Sequence, residues 1–167
     1  MRRNRDWSAL VSAPMLHFAY GSNMDRAVMR KHAPGAVALG AARLEGYRFT
    51  ITADGYASIA PHARGCVHGL LWRLSPRDRV TLDLWENIAR GLYQAEMLPV
   101  IAAGKQRRAL VYVARARPRG APRPGYMEIV VRAARECQLP ADYVASLQRW
   151  IPKQPLAAGH RSLGEFA

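Results

Sequence analysis

The sequence predicts a single α+β domain. Two observations lead there. Helical segments fall singly between strands that are joined by hairpin-type turns, not in a regular βαβ alternation, which disfavours a doubly wound sheet. The 167 residues, half of them apolar, are enough for one real core, and no repeat or change in composition divides them. The domain is expected over residues 15–167, with 1–14 as a disordered extension or as sequence upstream of a start at Met15.

The elements follow from local chemistry. Residues 16–20 carry β-favouring bulk and read as a short strand. Gly21 then allows a sharp turn or a close approach. Ser22 and Asp25 have capping-box spacing, and Asn23 is itself a good N-cap, so a short helix is expected over about 23–32, ended by Pro34-Gly35. Residues 37–52 read as an extended strand bent near Glu45-Gly46. Asp54-Gly55 signals a hairpin. Residues 56–61 and 66–74 read as two strands around a turn at Ala63-Arg64-Gly65. Ser75, Pro76 and Asp78 supply an N-cap, a first-turn proline and an acidic third position. Val80, Leu84 and Ile88 line one face of the helix that follows, and Gly91 ends it. Residues 92–101 and 106–114 form a hairpin about Ala103-Gly104-Lys105, and 115–123 is a Pro/Gly/Arg loop. Residues 125–137 and 141–150 read as two helices parted by Leu139-Pro140.

Charge and composition narrow the function classes. The net charge is +13, and 22 of the 25 basic residues are arginine, a skew expected of a GC-rich genome as much as of a binding surface. The densest cluster is Arg107, Arg108, Arg115, Arg117, Arg119 and Arg123. It lacks interleaved aromatics, so no specific nucleic-acid partner is expected. A positive field would favour an anionic substrate. No apolar run approaches membrane-spanning length, and Ala9-Leu10-Val11 is too short for a secretory core, so no membrane association and a cytoplasmic location are expected. Cys66 and Cys137 are too few for a disulfide framework, and the five histidines lack metal-ligand spacing, so free thiols, no metal and no cofactor are expected.

Two places carry candidate chemistry. The strand-to-helix turn at Tyr20-Gly21-Ser22-Asn23-Met24 would present backbone N–H groups able to bind a carboxylate, a phosphate or an oxyanion. Local physics alone favours an ordinary capped turn. Glu86 falls at the C-terminal end of the helix from Pro76, beside Trp85. The negative end of the helix dipole and apolar neighbours would raise its pKa into a range useful for proton transfer. Position alone also fits a surface glutamate.

Tyr20-Gly21-Ser22-Asn23-Met24 resembles the Tyr-Gly-Ser-Asn-Leu signature of the γ-glutamylcyclotransferase family. The segments 55–61, 67–72, 82–88, 124–126 and 139–143 are similar to further stretches of that family in the same order, over about residues 15–150. The resemblance implies a mixed, strongly curled, barrel-like sheet surrounded by several helices. It implies release of 5-oxoproline from a small γ-glutamyl substrate, the substrate's own α-amine attacking its γ-carbonyl, with Glu86 as general acid and base. It places Tyr93, Tyr112 and Tyr126 in the substrate cavity, with Tyr20, Gly21, Ser22, Asn23 and Met24 at the binding turn. Within the family the Tyr-Gly-Ser-Asn turn favours γ-glutamyl amino acids over γ-glutamylamines or glutathione. A cyclotransferase trimming a biosynthetic intermediate and a basic, non-catalytic binding module on the same scaffold are the alternatives. Asn87 departs from the glycine often found after the family's glutamate, which bears on substrate identity more than on chemistry. The residues specify no oligomeric state.

Overall fold

The computed structural model describes residues 15–115 and 119–152. The extension expected over 1–14 lies outside the described residues, as does most of the tail. Five strands close into a barrel: β1 (Met15–Ala19), β2 (Val37–Ile51), β3 (Ala57–Leu74), β4 (Tyr93–Ala102) and β5 (Lys105–Ala114). Their order is β1-β3-β2-β4-β5. Neighbours pair antiparallel except at the closure, where β1 lies parallel to β5 with His17 opposite Leu110. Around the barrel lie α1 (Arg26–His32), α2 (Pro76–Trp85), α3 (Tyr126–Glu136) and α4 (Ala141–Gln148). The α+β, curled-barrel expectation is met.

Closure depends on bends in the two long strands. β2 shifts register against β3 between Ala38 and Gly40 and again between Glu45 and Tyr47. Gly46 has φ +81°, a left-handed conformation that a side chain would strain. Opposite it, Pro61 pairs with Tyr47 and Cys66 with Glu45, so residues 62–65 bulge out of β3. The turn expected at Ala63-Arg64-Gly65 is therefore an insertion inside one 18-residue strand. The chain does not reverse there because both halves of β3 keep the same partner, β2.

Two other expectations are corrected. The first helix starts at Arg26, not at Asn23. Ser22–Met24 form a single 3-10 turn, and Asp25 is the N-cap, accepting from the backbone N–H of Ala27 at 2.8 Å and Val28 at 3.0 Å. In α2 the buried side chains are Asp78 and Leu82, whereas Val80 and Leu84 are 61% and 71% exposed. The spacing of Val80 and Leu84 thus marks an outward face, and the helix ends at Trp85 rather than Gly91, so Ile88 lies beyond it in a 3-10 turn, packed partly buried against the core. The capping box at Ser75 and Asp78 is formed in both directions, and Asp78 also accepts from Gly35 N–H at 3.0 Å.

The core runs through the barrel interior and out beneath α3. Phe18, Leu44, Ile51, Val67, Leu110, Val111, Met127 and Leu147 are fully enclosed. Each such side chain contributes about 1.5–3 kcal/mol of burial. α3 lays Met127, Val130, Val131, Ala133 and Ala134 inward against α4 and the 22–24 turn. Arg132 of α3 pairs with Asp25 at 2.8 Å and so ties α3 to the cap of α1. The turn that follows β1 is thereby fixed from both sides.

Candidate active site

One end of the barrel opens into a cavity of about 410 Å³. β1 delivers Tyr20 and the turn Gly21-Ser22-Asn23 to it, the end of α2 delivers Trp85, Glu86 and Asn87, β4 and β5 deliver Tyr93 and Tyr112, and α3 opens with Tyr126. Every residue expected at the site faces this cavity except Met24. Its side chain is 1% exposed in the core beneath the turn, because the 3-10 turn rotates it inward. The floor is buried (His17, Phe18, Ala19, Tyr112), and the mouth is formed by exposed Tyr56, Leu84 and Trp85. Among the described residues the wall carries no arginine or lysine, so the large positive charge lies outside it.

Glu86 caps the C-terminus of α2, its N–H donating to Leu82 O at 2.8 Å. The Asn23 amide donates to Glu86 Oε1 at 2.8 Å and joins the turn to the helix end. Burial pushes the Glu86 carboxyl up to about 7; the Asn23 hydrogen bond opposes this and the nearby Asp83 charge reinforces it. Asn87, next in sequence, sits at φ +52° and ψ +43°, the left-handed region that glycine and asparagine tolerate best. The backbone conformation accounts for the residue type at that departure. The Asn87 side chain donates to Trp85 O at 3.1 Å, away from Glu86.

The four tyrosines differ in how their hydroxyls are committed. Tyr20 donates to Tyr112 O, Tyr93 to Ala57 O at 2.8 Å, and Tyr112 to Asp83 Oδ1 at 2.7 Å. Tyr126 instead accepts, from Ala57 N–H at 3.2 Å. Burial raises its pKa, so the phenol keeps its proton. A phenol that is engaged as an acceptor still has its O–H to donate. Gly21 is required by this packing, since a Cβ there would lie 2.9 Å from the Tyr126 hydroxyl and 3.0 Å from Ala57 Cβ.

Two groups were not singled out by the sequence. Asp83 lies three residues before Glu86, the spacing that puts two side chains on one helix face, and that signal was available. It is held by Arg79, whose Nε lies 2.8 Å from both carboxylate oxygens, and by Tyr112. His17 carried no such signal, because its setting depends on the β1–β5 register. Its Nδ1–H donates to Leu110 O at 3.0 Å, leaving Nε2 as a bare acceptor, and burial lowers its pKa to about 4. Within the described residues, His17 Nε2 and Asn23 Oδ1 are buried acceptors with no hydrogen-bond partner, both on residues lining the cavity. Cys66 and Cys137 are free thiols. Among the described residues, no group of three or more His, Cys, Asp or Glu side chains is placed to hold a metal ion, and no helix is long and apolar enough to cross a membrane.

Comparison with known proteins agrees with the architecture. The AIG2-like family matches residues 66–147. The γ-glutamylcyclotransferase of Mus musculus is 26% identical over 150 residues, covering 83% of this chain and 80% of that protein. The γ-glutamylcyclotransferase of Homo sapiens is 26% identical over 148 residues, covering 82% and 79%. A solved γ-glutamyl cyclotransferase structure shares the fold at TM-score 0.80 and 24% identity, covering 86% of this chain and 92% of that one. The structure of YkqA from Bacillus subtilis matches at TM-score 0.75 and 26% identity, covering 85% of this chain and 55% of that one.

Proposed function

Because the chain belongs to the AIG2-like, γ-glutamylcyclotransferase-like family, we propose that it is a γ-glutamylcyclotransferase. It would release 5-oxoproline from γ-glutamyl amino acids or peptides. The observation that carries this reading is the pairing of Glu86, its pKa raised to about 7, with the turn Gly21-Ser22-Asn23 across one cavity.

The chemistry needs no enzyme nucleophile. The substrate's α-amine attacks its own γ-carbonyl, a C–N bond forms, and a five-membered ring closes through a tetrahedral oxyanion. The original amide C–N bond then breaks and the amine departs. Holding the glutamyl chain folded supplies the advantage of an intramolecular reaction. Glu86, ionised, takes a proton from the α-ammonium and returns it to the departing nitrogen, so the carboxylate is regenerated, and the second proton that the ring nitrogen sheds passes to the released amine. A pKa near 7 suits both halves of that transfer. The unpartnered Asn23 Oδ1 and His17 Nε2 offer acceptors to the ammonium. The Tyr126 hydroxyl and the turn backbone offer donors to the oxyanion. With no arginine or lysine among the described residues of the wall, the substrate's α-carboxylate would rely on N–H and O–H donors.

The test is 5-oxoproline release from γ-glutamyl-alanine, glutathione, γ-glutamyl-ε-lysine and a γ-glutamylated aminoglycoside, with wild type and Glu86→Gln. Turnover that vanishes in the variant supports the reading, and the substrate turned over selects the branch. Turnover that survives removes Glu86 from the chemistry. Silence across the panel contradicts the activity and favours a binding module.

A further inference from the structure

A smaller cavity of about 200 Å³ adjoins the first and shares Tyr56, Leu92 and Tyr93 with it. Its wall also includes Thr52, Asp54 and Arg123. Arg123 is exposed but held in place. Its backbone N–H donates to Gly55 O at 3.2 Å, its Nε–H donates to Asp54 O at 2.9 Å, and its guanidinium carbon lies 4.9 Å above the Tyr56 ring. Tyr56 in turn packs edge-on to Tyr126 at 5.4 Å. Among the described residues no hydrogen bond engages the terminal nitrogens of Arg123. A guanidinium fixed through Nε and one face still presents the edge that pairs with a carboxylate.

We propose that Arg123 builds a leaving-group subsite that binds a carboxylate carried by the departing amine. The inference rests on the cyclotransferase reading above and extends it to the other half of the substrate. The glutamyl half must reach Glu86 and the turn, so the amine substituent points toward the mouth. There the shared wall of Tyr56, Leu92 and Tyr93 leads into the smaller cavity. The main cavity has no cation among the described residues, so a carboxylate on the leaving group finds its first fixed cation at Arg123. Leaving groups bearing a carboxylate beside the scissile nitrogen are preferred over plain amines.

Steady-state kinetics on γ-glutamyl-alanine and its C-terminal amide test this, with wild type, Arg123→Gln and Arg123→Lys. The wild type is expected to favour the acid about tenfold in kcat/KM through KM, the scale of one charge-assisted hydrogen bond. Arg123→Gln raises KM for the acid by about that factor with kcat little changed, and abolishes the preference. Arg123→Lys restores part of it, because it keeps the charge and loses the fork. Equal use of acid and amide by the wild type overturns the subsite while leaving the cyclotransferase reading intact. So does an Arg123→Gln loss shared equally by the two substrates. No 5-oxoproline from either substrate overturns the subsite, and the cyclotransferase reading falls with it when glutathione, γ-glutamyl-ε-lysine and the γ-glutamylated aminoglycoside are silent as well.

Discussion

Asp25 and Glu86 flank the same residue, Asn23, and are shifted in opposite directions. Asp25 is 5% exposed, yet its carboxyl is held below the ordinary range. Burial alone would raise it, but Arg132 and the N–H groups of Ala27 and Val28 outweigh burial. Glu86 has its carboxyl desolvated in the cavity wall, has the single Asn23 donor to offset this and lies near Asp83, and its pKa climbs to about 7. Burial sets the cost of the charge, and the count and sign of the partners decide whether that cost is met. A carboxylate at the start of a helix is surrounded by donors. One at the end of a helix faces carbonyls. The fold uses the first as a structural clamp and leaves the second poised to exchange a proton.

The largest test of this contrast is Glu86→Gln, which is expected to lower 5-oxoproline release by about 10²–10⁴-fold. The same variant gains stability. The folded pKa of Glu86 is raised, so the wild type loses stability as pH climbs from the ordinary carboxylate range through about 7. Denaturant melts should show Glu86→Gln stabler by roughly 1–3 kcal/mol at pH 8 and no stabler at pH 4. Tyr126→Phe comes next, with a loss in kcat of about 10²-fold if its free O–H serves the oxyanion. The equivalent change at Tyr93, whose hydroxyl is committed to Ala57 O, should cost less.

Smaller changes sharpen the comparison through the acid limb of kcat/KM, which is expected near pH 7. Asn23→Ala removes the hydrogen bond that lowers the Glu86 pKa, so the limb moves up. Asp83→Asn removes the charge that raises it, so the limb moves down. Shifts in the same direction would refute this account of the environment. Asp25→Ala is expected to cost about 1 kcal/mol of stability as a lost N-cap, with little added by the Arg132 pair, whose arginine is 59% exposed. Because the folded pKa of Asp25 is lowered, that contribution holds above the ordinary aspartate pKa and disappears as pH falls through the folded value. The acid limb of activity stays where it was.

The sequence carried more of the fold than of the site. Ser75, Pro76 and Asp78 announce α2 because a capping box is local chemistry, and Ala103-Gly104-Lys105 announces the β4–β5 hairpin for the same reason. The bulge at 62–65 was misjudged as a turn because its cause is non-local: β2 continues as the partner on both sides. The outward Val80 and Leu84 show that apolar spacing alone does not say which face is inward. Asn23 and Asp25 exchange roles for a similar reason. Either side chain suits a cap, and only the 3-10 turn, with Arg132 waiting on α3, selects Asp25. The place of Glu86 at a helix end was legible, but position alone also fits a surface glutamate, and the family resemblance is what singles it out. The sorting of four tyrosines into three committed donors and one free donor depends on where Ala57, Asp83 and Tyr112 arrive in space, and no spacing encodes that.

The most direct test of the central claim is a side-chain carboxyl NMR titration of the wild type, with Glu86→Gln to assign the resonance. The account predicts one glutamate titrating near pH 7 that is absent from the variant and moves upward in Asn23→Ala. A Glu86 resonance titrating in the ordinary range near 4 would contradict it.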